Sequence, residues 1–254
     1  MFEISFWTFL IVCPLTFLGG FIDSIAGGGG LITLPAYLVA GLPPHLAMGT
    51  NKAASFLGTA TSCFNYIKEG FVKWKIAIPC MIFALIGSAC GTNLALFIEP
   101  DVLQVVIIVL LPITAIFTLS SKGLSKKRKE FSYRKTVLIA SVLAFFIGGY
   151  DGFYGPGTGT FLIILLNLLA HQNLESANGL SKVTNLASNV AAFIVFLING
   201  KVLLLLALAA GICQVIGNYI GSKLFIKKGL KIVRPVMIVV FIALMAKIIF
   251  DMLA

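Results

Sequence analysis

Residues 19–30 read Gly-Gly-Phe-Ile-Asp-Ser-Ile-Ala-Gly-Gly-Gly-Gly, and residues 148–159 read Gly-Gly-Tyr-Asp-Gly-Phe-Tyr-Gly-Pro-Gly-Thr-Gly. Each stretch lies inside apolar sequence long enough to cross a bilayer. A glycine-rich break and a carboxylate, Asp23 or Asp151, are costly in hydrocarbon, where exposed backbone and charged groups find no water. Having both twice, at matched positions, points to a transporter site at a repeat interface.

The rest of the composition agrees. Of 254 residues, 59% are hydrophobic and 11% charged, against about 25% charged in a soluble protein. The chain reads as a polytopic protein of the cell (inner) membrane, with no room for a sizeable soluble domain. The net charge of +10 does not indicate nucleic acid: three short loops, 68–75, 122–135 and 227–234, carry three, seven and four of the 19 Lys and Arg residues. That is a positive-inside pattern and places the three loops in the cytoplasm. The five cysteines are scattered through apolar segments without a Cys-x-x-Cys pair and read as small packed hydrophobes. The start of the chain lacks a basic n-region, so the first apolar stretch reads as a membrane segment rather than a cleaved signal.

Five apolar segments are expected in each half: 5–26, 30–42, 47–67, 75–98 and 101–120, then 135–154, 158–170, 175–198, 202–225 and 230–252. The second of each set is only about 13 residues long, where a full span takes about 20, and reads as a broken or re-entrant helix. The halves match at a constant offset of 130: Ala47 with Ala177, Gly49 with Gly179, Lys52 with Lys182, Gly70 with Gly200, and Gly87 and Gly91 with Gly217 and Gly221. Asp23 matches Asp151 at an offset of 128. The expected organisation is a first repeat over 1–121, a basic cytoplasmic linker over 122–134, and a second repeat over 135–254. Corresponding loops carry opposite charge character: Glu99-Pro100-Asp101 answers to the basic 227–234 loop. The repeats are therefore expected to be inverted, either with ten crossings or with eight if the short segments re-enter.

Gly27, Gly28, Gly29 and Gly30 end one segment and open the next, as do Gly155, Gly157, Thr158, Gly159 and Thr160. A helix starting at such a break points free N–H groups and a partial positive charge forward, which suits an anion. Close helix packing is the competing reading, and the favoured one for the spaced Gly87/Gly91 and Gly217/Gly221 pairs. Lys52 and Lys182 sit beside Asn51 and Ser181; each lysine can attract an anion, pair with an intramembrane aspartate or snorkel to the surface. Asp23 and Asp151 are candidates for proton coupling, helix capping or a Lys–Asp lock. Thr33, Thr158 and Thr160 offer hydroxyl donors to such an anion, Asn185 beside Lys182 favours a lined cavity, and Gln214, Asn218, Asn65 and Asn189 line a path or bond between helices. His45 and His171 have no neighbouring ligands at metal spacing, and no nucleophile triad, P-loop or dinucleotide fingerprint emerges. Neither a cofactor nor a metal is expected, and no enzymatic activity.

The 19–35 segment followed by Gly49-Thr50-Asn51-Lys52 resembles the signature of the TauE/SafE family of sulfite and organosulfonate exporters, and the Gly155-to-Thr160 and Leu180-Ser181-Lys182 stretches resemble its second repeat. The resemblance covers essentially the whole chain. It implies small sulfur-containing anions as substrates, and places binding at Gly27 to Gly30, Asn51, Lys52, Gly155 to Thr160, Ser181 and Lys182. The expected protein is a secondary carrier working by alternating access and coupled to protons through Asp23 or Asp151. An anion channel and a membrane subunit of a larger complex are the alternatives. Expected partners are the anionic substrate and the lipid bilayer; a homodimer is a compatible assembly.

Overall fold

Glycine and proline divide the apolar sequence where expected. The computed structural model describes residues 5–120 and 131–228. Among these residues run α1 (Phe6–Ala26), α2 (Gly30–Val39), α3 (Pro44–Lys68), α4 (Trp74–Phe97), α5 (Pro100–Ser120), α6 (Tyr133–Phe153), α7 (Thr158–Leu168), α8 (Leu174–Ile198) and α9 (Leu204–Lys228), with no strand. The tenth expected segment, 230–252, and the 122–130 part of the basic linker lie outside the described residues.

Five of these helices, α1, α4, α6, α8 and α9, are long and apolar enough to cross a membrane. The chain is thus an all-α polytopic membrane protein. With 10 and 11 residues, α2 and α7 reach only about half the hydrocarbon thickness. The 25-residue α3 is long enough but more polar, and the polar groups of Thr50, Asn51, Lys52, Thr59 and Ser62 on it are buried in protein.

Two of the matched glycines are stop signals. Gly70 and Gly200 both adopt left-handed backbone (φ 74° and 66°). After α3, the Phe71 amide donates to the Tyr66 carbonyl and the Gly70 amide to Ile67; after α8, Lys201 donates to Phe196 and Gly200 to Leu197. Both are Schellman closures that satisfy the last helical carbonyls. Gly41 (φ 86°) closes α2 the same way through Leu42-to-Tyr37 and Gly41-to-Leu38 bonds. It ends α2 three residues before the expected 42.

Between apolar helices in lipid there is little hydrophobic drive, so close backbone approach does the packing. Gly87 and Gly91 of α4 lie against Phe145 and Gly149 of α6, and Gly217 and Gly221 of α9 against Phe17 and Phe21 of α1. The spaced glycines are packing positions, and these pairings show that α4 runs with α6 and α1 with α9. The Leu203 amide bonds Thr50 Oγ1 at 3.1 Å, and Asn65 Nδ2 bonds Ser222 Oγ at 2.7 Å, so α3 runs with α9. Gly179 packs on Phe71, just before α4, and Ser88 Oγ donates to the Ser188 carbonyl at 2.7 Å, so α8 runs with α4. Hence α1, α3 and α9 point one way and α4, α6 and α8 the other.

Lys68, Lys75, Arg134, Lys135 and Lys223 collect at one end, where the Tyr133 hydroxyl donates to the Lys75 carbonyl. At the opposite end, His45 Nε2 lies 3.0 Å from the Ala95 carbonyl, close to Glu99 and Asp101. Two apolar clusters follow these ends. One contains Val12, Leu34, Tyr37, Leu42, Met48 and Phe196; the other, toward the basic end, contains Ala77, Cys80, Ala140, Leu162, Leu166 and Leu180. The polar site lies between them.

Candidate functional site

The two glycine breaks touch. A Cβ on Gly159 would stand 2.5 Å from the Gly27 Cα, and one on Gly30 would stand 2.9 Å from the Pro156 Cα. Only hydrogen at these positions allows the end of α1 and the start of α7 to cross backbone to backbone. Beside this crossing is a small cavity of about 30 Å³, and both short helices begin on its wall at Gly29, Gly30, Thr158 and Gly159. The amides of Gly29, Gly30 and Gly159 have no acceptor among the described residues, which is the expected condition of a helix N-terminus.

The opposite wall comes from α3, α8 and α9. Asn51, Lys52, Ser55 and Thr59 form a stripe along α3, Asn185 and Asn189 a stripe along α8, and Gln214 adds from α9. Gln214 Nε2 approaches Ser55 Oγ at 3.4 Å. Among the described residues, Asn51 Oδ1 and Thr33 Oγ1 are buried without a partner, and both residues line the cavity.

Both intramembrane lysines are paired with aspartates of the other half. Lys52 Nζ lies 2.7 Å from Asp151 Oδ1 and 3.2 Å from Asn189 Oδ1; the second carboxylate oxygen of Asp151 accepts from Ser188 Oγ at 2.6 Å. Lys182 Nζ lies 3.2 Å from Asp23 Oδ2 and also donates to the Asp23 main-chain carbonyl. Neither lysine snorkels. The positive field expected from them is therefore balanced within the site, and unpaired donor capacity remains on the helix N-termini.

Each carbonyl in the last turn of α1 has a donor. Lys182 serves Asp23, the Tyr66 hydroxyl serves Ser24 at 2.6 Å, Asn178 Nδ2 serves Ile25 at 3.2 Å, and Thr160 Oγ1 serves Ala26 at 2.7 Å. The Thr160 amide completes the set on Gly27 at 3.3 Å. A helix ending inside a membrane protein needs such donors, and here they come from α3, α7 and α8.

Of the residues singled out from sequence, Asp23, Gly27, Gly29, Gly30, Asn51, Lys52, Asp151, Gly155, Thr158 and Gly159 line the cavity. Gly28, Gly157, Thr160, Ser181 and Lys182 stand behind the wall. Gly157 takes left-handed backbone (φ 84°) as the cap of α7, and Ser181 Oγ donates to the Gly159 carbonyl at 3.0 Å. Gly155 leaves room for Lys52, whose Nζ would be 3.0 Å from a Cβ there. Ser55, Thr59 and Ser188 escape the sequence reading. The repeat offset carried a signal for the first two, since it maps Ser55 onto Asn185 and Thr59 onto Asn189. Ser188 shows only through its bond to Asp151.

Interrupted helices that meet at a polar cavity, inside an all-α membrane fold, define the class as a membrane transporter rather than an enzyme. The family described as "Sulfite exporter TauE/SafE" matches residues 12–248, and the chain belongs to it. Similar proteins include the "Probable membrane transporter protein ORF9" of Sinorhizobium sp, 35% identical over 98% of this chain and 95% of the relative. A "Probable membrane transporter protein" of Haemophilus influenzae is 33% identical over 92% of both chains. The "Probable membrane transporter protein YfcA" of Escherichia coli K12 is 33% identical over 92% of this chain and 87% of the relative. No solved structure gives a significant match.

Proposed function

We propose that this protein is a secondary carrier that exports small sulfur-containing anions, such as sulfite or organosulfonates, by alternating access. The observation that carries this reading is the cavity on which both interrupted helices begin, with its two Lys–Asp pairs exchanged between halves. The amides of Gly29, Gly30 and Gly159 offer an oxyanion the donors it needs, and Asn51 and Thr33 add side-chain contacts, whereas the Thr158 hydroxyl donates to the Gly155 carbonyl at 2.6 Å. The family description supplies the substrate class.

Alternating access is supported by helix direction. Under the offset of 130, α1 answers to α6, α3 to α8 and α4 to α9, and members of each couple point opposite ways. Exchanging the halves, in this reading, inverts the molecule and keeps its main helix pairings: α1 on α9 becomes α6 on α4, and Lys52–Asp151 becomes Lys182–Asp23. In this reading the two repeats trade conformations to open the site to the other side, with the intramembrane carboxylates coupling the cycle to protons.

Proteoliposomes test this. Vesicles preloaded with unlabelled sulfite should show saturable counterflow of labelled sulfite, competed by methanesulfonate. Uptake that neither saturates nor responds to preloading, together with single-channel currents, would replace the carrier with a pore. No flux of either anion would remove the substrate assignment.

A further inference from the structure

We propose that Asp23 is the proton-binding residue of the cycle, taking up one proton from water for each anion bound, and that Asp151 stays ionised as a permanent partner of Lys52. This assignment rests on the anion-carrier reading above and adds to it which carboxylate couples and at what stoichiometry.

Charge balance asks for a proton. Lys52, Lys182, Asp23 and Asp151 together carry no net charge, and a bound monoanion would leave one negative charge among side chains that are at most 15% exposed. Protonating one carboxylate restores neutrality. The two carboxylates are not equivalent candidates. Asp151 has both oxygens engaged, by Lys52 at 2.7 Å and Ser188 at 2.6 Å, and its side chain is 3% exposed. Among the described residues the Asp23 carboxylate has one ion-pair partner, Lys182 at 3.2 Å, and its side chain is 15% exposed on the cavity wall.

The consequences of protonation differ too. Lys182 also donates to the Asp23 main-chain carbonyl, at the negative end of the α1 dipole. It therefore keeps an acceptor when the Asp23 carboxylate is neutralised, and its charge becomes available to the anion. The Asp23 side chain also leaves its helix beside the proposed anion position: a Cβ on Gly29 would be 2.5 Å from the Asp23 Cβ, and both residues line the cavity. Ionised Asp23 thus repels a ligand at the Gly29 and Gly30 amides, and protonated Asp23 does not.

The groups around Asp23 are few. Lys182 faces it from α8; Lys52 and the Tyr66 phenol act on it from α3. Helix α7 carries no ionisable side chain. Tyr37 of α2 belongs to the apolar cluster at the far end. On α9, Cys213 sits beside Cys13 and Lys223 over the Tyr219 ring.

The test uses the full chain in lipid nanodiscs, with methanesulfonate as probe because it is a monoanion at every working pH, and sulfite alongside. In weakly buffered solution, wild type should take up about one proton per methanesulfonate bound, and its Kd should rise about tenfold per pH unit on the alkaline side. Asp23→Asn should bind without proton uptake and with a flat pH profile. Asp151→Asn should keep the one-proton slope while unfolding at a lower temperature. Anion binding to wild type without proton uptake overturns the proposal whatever the variants do. So does a slope retained in Asp23→Asn and lost in Asp151→Asn. Failure of both anions to bind at any pH removes the carrier reading and this one with it, an outcome distinct from binding without a proton.

Discussion

Lys52 of the first half and Asp151 of the second form an ion pair of 2.7 Å whose side chains are almost entirely buried. Breaking such a pair from one side strands a charge, which costs about 3–5 kcal/mol, whereas an apolar replacement of both partners is often neutral. Lys52→Met and Asp151→Leu should each lower the unfolding free energy in detergent by that amount. The double variant should recover most of the loss in stability without recovering flux. Additive losses in the double variant would mean that the two residues do not depend on each other.

The direction of the helices fixes which loops share a side. Lys75 and Tyr133 meet at the basic end, while Glu99 lies near the His45–Ala95 contact at the other end. In a background without native cysteines, Lys75→Cys should react with impermeant maleimide only from the cytoplasm and Glu99→Cys only from outside. Labelling of both from one side would contradict α4 (Trp74–Phe97) as a helix that crosses the membrane.

Much of this was legible in the chain. Clustered glycines ahead of a short apolar stretch, consecutive before α2 and alternating before α7, mark these two helices, and the offset of 130 picks out Lys52 and Lys182 as more than strays. Which aspartate each lysine takes was not legible, because the pairing crosses between halves and depends on the glycine breaks stacking on one another. The same tertiary fact redirects Thr160. From sequence it belongs with the substrate donors, yet its hydroxyl goes to the Ala26 carbonyl, since the end of α1 needs donors that only a crossing helix can bring. The start of α3 lies three residues before the expected 47, because Pro44 is tolerated in the first turn, where its missing N–H would have no partner anyway.

Glycine matters in two different ways here, and substitution separates them. At Gly159 an added Cβ meets the Gly27 backbone at 2.5 Å, and neither backbone has room to yield. Gly159→Ala should cost about 1–3 kcal/mol or more through overpacking and abolish sulfite flux. At Gly200 nothing lies within 4 Å, and the only penalty is the left-handed backbone at φ 66°. Gly200→Ala should cost about 1–2 kcal/mol and leave the Kd for sulfite unchanged. Equal effects on flux would mean that the crossing of the two breaks is not the critical contact.

Asn51 and Ser181 occupy equivalent positions in the two halves but do different jobs. Asn51 lines the cavity, where the N–H donors of its side-chain amide can meet a bound anion. Ser181 lies behind the wall, where its hydroxyl holds the Gly159 carbonyl and so fixes the first turn of α7. A hydrogen bond to a charged ligand is worth about 1.5–3 kcal/mol. Asn51→Ala should therefore weaken sulfite binding by about tenfold to a hundredfold with little loss of stability. Ser181→Ala should show the reverse: about 1 kcal/mol less stable, with sulfite affinity within about twofold of wild type, since Ser181 is not part of the cavity lining. Isothermal titration of both variants against sulfite, with thermal unfolding in parallel, reads the two quantities separately. If Ser181→Ala proves the weaker binder, the anion sits against α7 and α8 rather than against α2 and α3, and the two halves carry the site in the opposite order.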